Sequence, residues 1–286
     1  MVRRIVAASA FLIAMAGGGA GARMYVDGML PASVPAKAPD HSDNQFAEAL
    51  SAVSLSGEVD FEALKKGRGP LDQYVESLAG TSPDNAPEKF KDPSVQLAYW
   101  VNAYNALVLQ ALADRWPDLK SPDDLMLGRF FWGLSWPVGG RRLTLRAILD
   151  KKLREGFSDP RALLAVHCGS MSCGALDTTP YMGDTIDGQL NDAARRFMGD
   201  PANVALDGNK VKLSPLLERY QHDFITALPE GRSHILQFVW AFLPEVCRDG
   251  KACLVRSDLD KACGVKLDGC TVSYAPWNGA LRAKKL

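Results

Sequence analysis

The segment between Pro93 and Pro117 has a helical pattern that is apolar on nearly every side. Ser94 is the predicted N-cap, and Pro117 is the predicted stop. Several apolar residues follow helical spacing on one face: Leu97, Val101, Tyr104, Val108 and Ala111. Other apolar residues widen that face: Trp100, Leu107 and Leu112. A helix that is apolar all round must be buried, so we expect the rest of the chain to fold around it.

Further helices are predicted from caps and helical spacing at 144–155 and 185–198, after Ser121-Pro122, after Ser214-Pro215, and from Ser233 to Pro244. Two hairpins are predicted, one at 136–143 and one at 204–213 around an Asp-Gly step. Because helices outnumber strands, the sequence predicts an α+β fold, a helix-rich single domain with a small, mainly antiparallel sheet.

The N-terminus has the three parts of an export signal, namely Arg3 and Arg4, an apolar stretch, and small residues ending at Ala22. We therefore predict an export signal at 1–22, a Pro-rich linker at 23–45 and the folded domain at 46–281. The predicted location is periplasmic or secreted, with no stable membrane span after signal removal. An uncleaved signal that anchors the protein in the membrane is the alternative.

The charges are balanced, with 33 Lys and Arg against 33 Asp and Glu and no long run of one sign. A protein that binds nucleic acid usually concentrates positive charge on one face or segment. We therefore expect no nucleic-acid partner.

The stretch 161–174 is the candidate site, because an apolar run ends there in a group of reactive and small residues. Ala162 to Val166 is predicted to be a buried strand, and His167, Cys168 and Cys173 lie in or beside the loop after it. Loops at strand ends are where α/β-type proteins often place reactive groups.

Several motifs resemble one family, the domain of unknown function 547. They are Gly-Glu-Val-Asp-Phe at 57–61, Tyr-Trp-Val-Asn-Ala-Tyr-Asn-Ala at 99–106, Asp-Pro-Arg at 159–161, Cys-Gly-Ser-Met-Ser-Cys at 168–173, Leu-Asn-Asp-Ala-Ala-Arg-Arg-Phe at 190–197 and Tyr-Gln-His-Asp-Phe at 220–224. The resemblance implies a fold similar to papain-like or transglutaminase-like cysteine enzymes. It makes Cys168 the candidate nucleophile of a thiol hydrolase or transferase acting on a peptide or acyl substrate.

The chain departs from the family at three positions. The family tends to have Ile-Glu-His where this chain has Ile148, Leu149 and Asp150, and Gly174 replaces a usual Pro. A thiol nucleophile needs an imidazole base, so the candidate replacements are His167, His222 and His234.

Two amides also belong to the candidate site. Asn102 and Asn105 lie three residues apart on one face of the apolar helix. They are predicted to tie the helix to neighbouring backbone or to the candidate loop, with stabilisation of an oxyanion or orientation of the base as the alternative.

Each reactive feature also has a structural interpretation. Cys168 and Cys173 can form a structural disulfide in an inactive binding or scaffold protein with a protein partner, or a disulfide that cycles in a redox protein. The functional interpretation predicts instead that Cys168 is at least partly free.

The spacing of the two cysteines does not favour zinc, and no metal or cofactor is predicted. The aromatic cluster Phe130-Phe131-Trp132 with Trp136 is predicted to be core or pocket wall.

The remaining four cysteines lie close together near the C-terminus, within about 245–275. In an exported chain an even number of cysteines favours bridges. The simplest of three connectivities pairs Cys247 with Cys253 and Cys263 with Cys270.

Overall fold

The computed structural model of the protein describes residues 41–230, 234–247 and 253–284. The helices of these ranges are α1 (Asp43–Ala49), α2 (Phe61–Lys66), α3 (Gly69–Gly80), α4 (Pro93–Arg115), α5 (Arg129–Trp132), α6 (Leu145–Ala147, continued by a π-helical segment Ile148–Arg154 and by Glu155–Phe157), α7 (Ala162–Ala165), α8 (Ile186–Met198), α9 (Pro215–Arg219), α10 (Gln221–Thr226), α11 (Ile235–Phe242) and α12 (Arg256–Cys263). Short 3-10 turns occur at Leu50–Ala52, Pro87–Lys89, Pro122–Asp124 and Met126–Gly128. The strands are β1 (Ser135–Val138), β2 (Arg141–Thr144), β3 (Val204–Asp207), β4 (Lys210–Leu213) and β5 (Thr271–Tyr274).

The predicted export signal at 1–22 lies outside the described residues, as does the predicted linker up to residue 40. Helix α1 begins at Asp43, inside the last residues of that linker, and its N-cap is Ser42. Within the described ranges, no helix combines the length and the apolarity that a bilayer crossing needs.

Helix α4 is the centre of the core, as its sequence pattern predicts. Every residue from Leu97 to Leu109 is buried, and the helix ends at Arg115, just before the predicted stop at Pro117. The prediction of Ser94 as the N-cap is wrong. The cap is Asp92, whose carboxylate accepts a hydrogen bond from the Ser94 backbone N–H at 2.8 Å, because Pro93 occupies the first helical position, where a missing N–H costs nothing.

Both predicted hairpins are confirmed, and they lie in two separate small sheets. β1 pairs antiparallel with β2, and β3 pairs antiparallel with β4, which in turn pairs in parallel with β5. With helices covering about half of the described residues, the α+β prediction and the mainly antiparallel pairing hold. The papain-like resemblance stays a prediction.

The predicted strand at 162–166 is wrong, because Ala162–Ala165 forms the short helix α7. The Asp159 side chain accepts the Arg161 N–H at 3.0 Å, and the Ala162 N–H bonds back to the Asp159 carbonyl at 3.2 Å. All four residues of α7 are buried. A short apolar run fits a buried helical turn as well as a buried strand, and here the Asp-Pro-Arg sequence starts a turn.

Three other predicted helix starts can be compared with the structure. The segment after Ser121 is a single 3-10 turn with a capping box, not a longer helix. The predicted helix at 144–155 is confirmed as α6, with Thr144 as its N-cap. Ser233, the predicted cap of α11, lies outside the described residues. In the structure His234 caps this helix, with its Nδ1 accepting the Leu236 N–H at 3.2 Å.

The C-terminal cysteines form the predicted pairs. Cys247 is joined to Cys253 and Cys263 to Cys270. The second bridge connects the end of α12 to the residue that precedes β5, so it fastens the parallel edge strand of the three-stranded sheet to a helix.

We predict that Asp92→Ala lowers the free energy of unfolding by about 1 kcal/mol, the usual cost of losing an N-cap. The loss arises because the N–H groups in the first turn of α4 would lack a protein acceptor. Asp118→Ala removes an exposed carboxylate beyond the other end of the helix and serves as the control. Chemical denaturation of both variants measures the difference, and equal stability of the two would contradict this account of the cap.

Candidate functional site

Cys168 and Cys173 are joined by a disulfide, with their Cα atoms 5.8 Å apart. Their residues are only 7% and 4% exposed. The expectation that Cys168 is at least partly free is therefore wrong in this structure, and the structural-disulfide alternative fits. Closing so short a loop stabilises the fold by about 2 kcal/mol in the chain-entropy model.

Two glycines let the disulfide loop pass through a crowded space. Gly169 has φ +90°, a conformation that side chains strongly disfavour. A Cβ atom at Gly174 would lie 2.0 Å from the Leu164 carbonyl oxygen. The position where the family usually has Pro therefore admits only Gly in this backbone.

The C-terminal segment, residues 278–282, holds the disulfide loop through backbone hydrogen bonds. The Met171 N–H donates to the Ala280 carbonyl at 2.9 Å, and the Arg282 N–H donates to the Gly169 carbonyl at 3.0 Å. The Arg282 guanidinium also donates to the Met171 carbonyl at 2.7 Å and the Cys173 carbonyl at 3.2 Å. The loop thus lies between the core and the C-terminal segment.

Asn105 ties the start of this loop to α4. Its side-chain amide donates to the Ala165 carbonyl at 3.1 Å, and its oxygen accepts the His167 backbone N–H at 2.7 Å. Asn105 is 1% exposed, so no water competes for these bonds. The predicted tie to neighbouring backbone is confirmed, whereas a catalytic role of the amide stays a prediction.

Asn102 makes the equivalent connection one turn earlier. Its side chain exchanges two hydrogen bonds with the Tyr181 backbone, both at 2.8 Å, and also donates to Asp43 at 3.2 Å. Burial raises the pKa of Asp43, an effect that the nearby His41 partly opposes. Asn102 therefore joins α1 and the segment after the disulfide loop to the central helix.

His167 is fully buried beside the disulfide. Its Nδ1 lies 3.2 Å from the Gly174 carbonyl, which fixes the proton on Nδ1, and its Nε2 has no hydrogen-bond partner among the described residues. Burial, reinforced by the charge of Arg282, lowers the pKa of His167 to about 4, although the bond to Gly174 opposes this shift. The ring is therefore neutral at physiological pH.

The other three histidines lie away from the disulfide. His41 contacts Ser77 and lies beside Asp43, and the ring of His234 caps α11. His222 lines a separate cleft of about 140 Å³. All four histidines of the sequence are thus described, and none of their rings hydrogen-bonds to Cys168.

A cleft of about 420 Å³ opens above the disulfide. Its apolar wall combines aliphatic and aromatic side chains: Phe131, Trp132, Leu149, Leu163, Val166, Leu216 and Trp277. Phe131 and Trp132 belong to the aromatic cluster predicted to be core or pocket wall, and both line this cleft. Phe130 is buried beneath them. Clefts of this size and character hold small organic molecules in many proteins.

The polar part of the cleft is formed by Tyr104, Tyr220, Arg146, Arg219 and Asp123. Asp123 accepts the Trp277 indole N–H at 3.1 Å, and the Arg219 guanidinium lies 3.9 Å from the centre of a Trp277 ring. Tyr104 is 1% exposed, yet its side chain lines the cleft. The pKa of Tyr104 is raised, mainly by burial and then by Tyr220, so both phenols stay protonated donors near neutral pH.

The two positions that depart from the family's Glu-His pair have different surroundings. Leu149 lines the cleft, so an aliphatic side chain stands where the family tends to have Glu. Asp150 forms ion pairs with Arg146 and Arg154, the latter at 2.8 Å, and Arg154 also binds Asp223 at 2.9 Å. Asp150 thus belongs to a network of charges beside the cleft rather than to a catalytic pair.

The sequence prediction missed the polar part of the cleft. Tyr104 and Tyr220 lie in two of the motifs that carry the family resemblance, but an aromatic residue within an apolar helix is most simply interpreted as core. Only the three-dimensional structure shows that both side chains line the cleft and that neither hydroxyl group has a hydrogen-bond partner among the described residues. Of the described residues, no group of His, Cys, Asp and Glu could hold a metal ion.

The family model described as "Protein of unknown function, DUF547" matches residues 87–198. The matched range includes α4, α6 and the disulfide loop, so the predicted family is confirmed for this part of the chain. The side of the cleft formed by α9, Tyr220 and Trp277 lies beyond the match. Neither a curated protein nor a solved structure matches the chain.

We predict that Asn105→Ala lowers the free energy of unfolding by about 3 kcal/mol, because it leaves the buried Ala165 carbonyl and His167 N–H without partners. Asn44→Ala, at an exposed position in α1, is the control. Urea denaturation measures both variants. A loss below about 1 kcal/mol for Asn105→Ala would show that water or a rearranged loop replaces the amide.

We further predict that acid destabilises the protein through His167. Because the folded-state pKa lies below the unfolded value of 6.5, the unfolded chain binds the proton first as the pH falls from about 6.5 toward 4. Wild-type stability should therefore fall by about 2 kcal/mol more than that of His167→Gln between about pH 7 and about pH 5. Parallel stability curves for the two proteins would contradict a neutral, buried His167.

Proposed function

We propose that this protein, in which residues 87–198 belong to the DUF547 family, is a non-hydrolytic binding protein. Its ligand is a small molecule with an apolar body, and the cleft above the Cys168–Cys173 disulfide is the binding site. The observation that carries the proposal is that the candidate nucleophile is a disulfide sulfur in the floor of an apolar cleft. A sulfur in a disulfide has no thiolate to attack an acyl carbon.

The lining of the cleft supports binding rather than acyl transfer. A hydrolase would need an imidazole or another base within hydrogen-bonding reach of the reacting atoms. Among the described residues the cleft contains no histidine, and Leu149 stands at the family's Glu position. His167 lies behind the disulfide with its Nδ1 proton on Gly174.

The disulfides also support the proposed location. The three bridges use all six cysteines of the sequence, and structural disulfides persist in oxidising compartments. The proposed site of action is therefore the periplasm or the exterior, in agreement with the export signal predicted at 1–22.

A second candidate is thiol-disulfide exchange, which one observation favours. Cys168 and Cys173 both line the cleft, so a partner thiol could approach them from that side. The two candidates differ in how easily the bridge is reduced. A structural disulfide resists a glutathione buffer, whereas a cycling one is partly reduced in it.

Binding of the neutral fluorescent probe N-phenyl-1-naphthylamine tests the proposal. We expect saturable binding to the oxidised protein and about tenfold weaker binding by Phe131→Gln, because that change removes a ring from the apolar wall. Phe242→Gln is a matched control, since both rings are partly buried against a neighbouring phenyl group, at 5.1 Å for Phe131 and 5.0 Å for Phe242. Phe242 lies outside the cleft.

Two results would contradict the proposal. One is an equal effect of the two Phe variants, which would place the probe elsewhere. The other is turnover of an activated acyl ester that Cys168→Ser abolishes while the variant stays folded, which would show that the thiol is a nucleophile after all.

A further inference from the structure

The polar part of the cleft contains hydrogen-bond donors without partners. The Tyr104 residue is only 1% exposed, and its side chain lines the cleft. Its hydroxyl group makes no hydrogen bond with any of the described residues. Tyr220, also buried, lines the same cleft, and its hydroxyl likewise has no partner in this part of the chain. The oxygens of both phenols are accessible rather than fully buried, so each hydroxyl group can donate a hydrogen bond to a ligand acceptor in the cleft.

Positive charge lies beside these hydroxyl groups. Arg146 influences the pKa of both Tyr104 and Tyr220, and Arg219 also influences that of Tyr220. Arg146 is already paired with Asp150. Arg219 differs, because no carboxylate of the described residues lies within ion-pair distance and its guanidinium rests on Trp277.

Two acidic groups lie near this positive charge. Asp123 lines the cleft and keeps its negative charge while it accepts the Trp277 indole N–H at 3.1 Å, but it forms no ion pair with Arg219 in the described part of the chain. Asp150 is shared between Arg146 and Arg154. The cleft presents two phenolic donors and an arginine that has no ion-pair partner among the described residues, next to a wall of aliphatic and aromatic side chains.

We infer that the ligand of this cleft is an amphipathic organic anion, an apolar body that ends in a carboxylate. This inference rests on the proposed binding function and specifies its ligand. The carboxylate accepts hydrogen bonds from Tyr104 and Tyr220 and pairs with Arg219, while the apolar body lies against Leu163, Trp132 and Phe131. Phenolic and guanidinium donors to a carboxylate form charge-assisted hydrogen bonds, which are stronger than neutral ones.

Competition with bound N-phenyl-1-naphthylamine tests the inference on the full chain. The competitors share one ring system and differ in charge: 2-naphthoate, naphthalene and 2-naphthylmethylammonium. We expect 2-naphthoate to displace the probe at about tenfold lower concentration than naphthalene, and the cation to be the weakest of the three. This comparison needs only the wild-type protein, so it does not depend on the folding of a variant.

Variants then assign the preference to residues. Arg219→Gln and Tyr104→Phe should each reduce the preference for 2-naphthoate over naphthalene to within about threefold, and Arg219→Lys should restore most of it, since it keeps the charge. Two controls match them. Arg195→Gln removes an exposed helix arginine outside the cleft, and Tyr181→Phe removes a phenolic hydroxyl group that is buried, lies outside the cleft and has no hydrogen-bond partner among the described residues.

The outcomes separate the two proposals. Equal displacement by 2-naphthoate and naphthalene would overturn the anion inference and leave the binding function standing. Failure of the probe and of all three competitors to bind would overturn the binding function and the inference with it. A third result is that Tyr181→Phe or Arg195→Gln reduces the preference for 2-naphthoate as strongly as the cleft variants do. That result would overturn the assignment of the preference to Tyr104 and Arg219.

Discussion

The hydrogen bonds of Asn102 and Asn105 are the interactions on which the candidate site depends. Both amides project from the buried, otherwise apolar stretch Leu97–Leu109 of α4. Asn102 binds the Tyr181 backbone. Asn105 binds the Ala165 carbonyl at the end of α7 and the His167 N–H at the start of the loop. In a dry core such bonds cannot be exchanged for water, so breaking one leaves buried polar groups unpaired. The position of the disulfide loop therefore follows from the position of α4.

The same burial determines the chemistry of the loop. His167 would be a natural base for a neighbouring thiol, but its surroundings are dry and contain the guanidinium of Arg282. Both effects disfavour the imidazolium ion that a base must become when it accepts a proton. The disulfide removes the thiol as well. The candidate nucleophile Cys168 and the candidate base His167 are thus adjacent in sequence, but in the structure one closes the loop as a disulfide and the other packs beside it.

A different region supplies the groups that face the cleft. The lining combines guanidinium and phenol groups with a wall of Leu, Val, Phe and Trp side chains. Such a surface can orient an amphipathic molecule without reacting with it. Asp150, at the position where the family tends to have the imidazole, forms ion pairs with Arg146 and Arg154 beside the cleft.

Much of the fold follows from local sequence. The central helix, both hairpins and the pairing of the C-terminal cysteines could be predicted, because caps, turn residues and short cysteine spacings act over a few residues. The segment 162–166 could not, since a short apolar run fits a buried helical turn as well as a strand. The residues that line the cleft together with Tyr104 and Arg219 are distant in sequence, as are the partners of Arg282. Neither the polar part of the cleft nor the role of residues 278–282 therefore has a local signal.

The state of the Cys168 sulfur tests this account most directly. The native, exported protein is alkylated without reductant, digested and mapped by mass spectrometry, and a second sample is alkylated after denaturation and reduction. The account predicts that Cys168 and Cys173 are recovered as one disulfide-linked peptide in the first sample and as two alkylated residues in the second. Alkylation of Cys168 in the native, folded protein would contradict it.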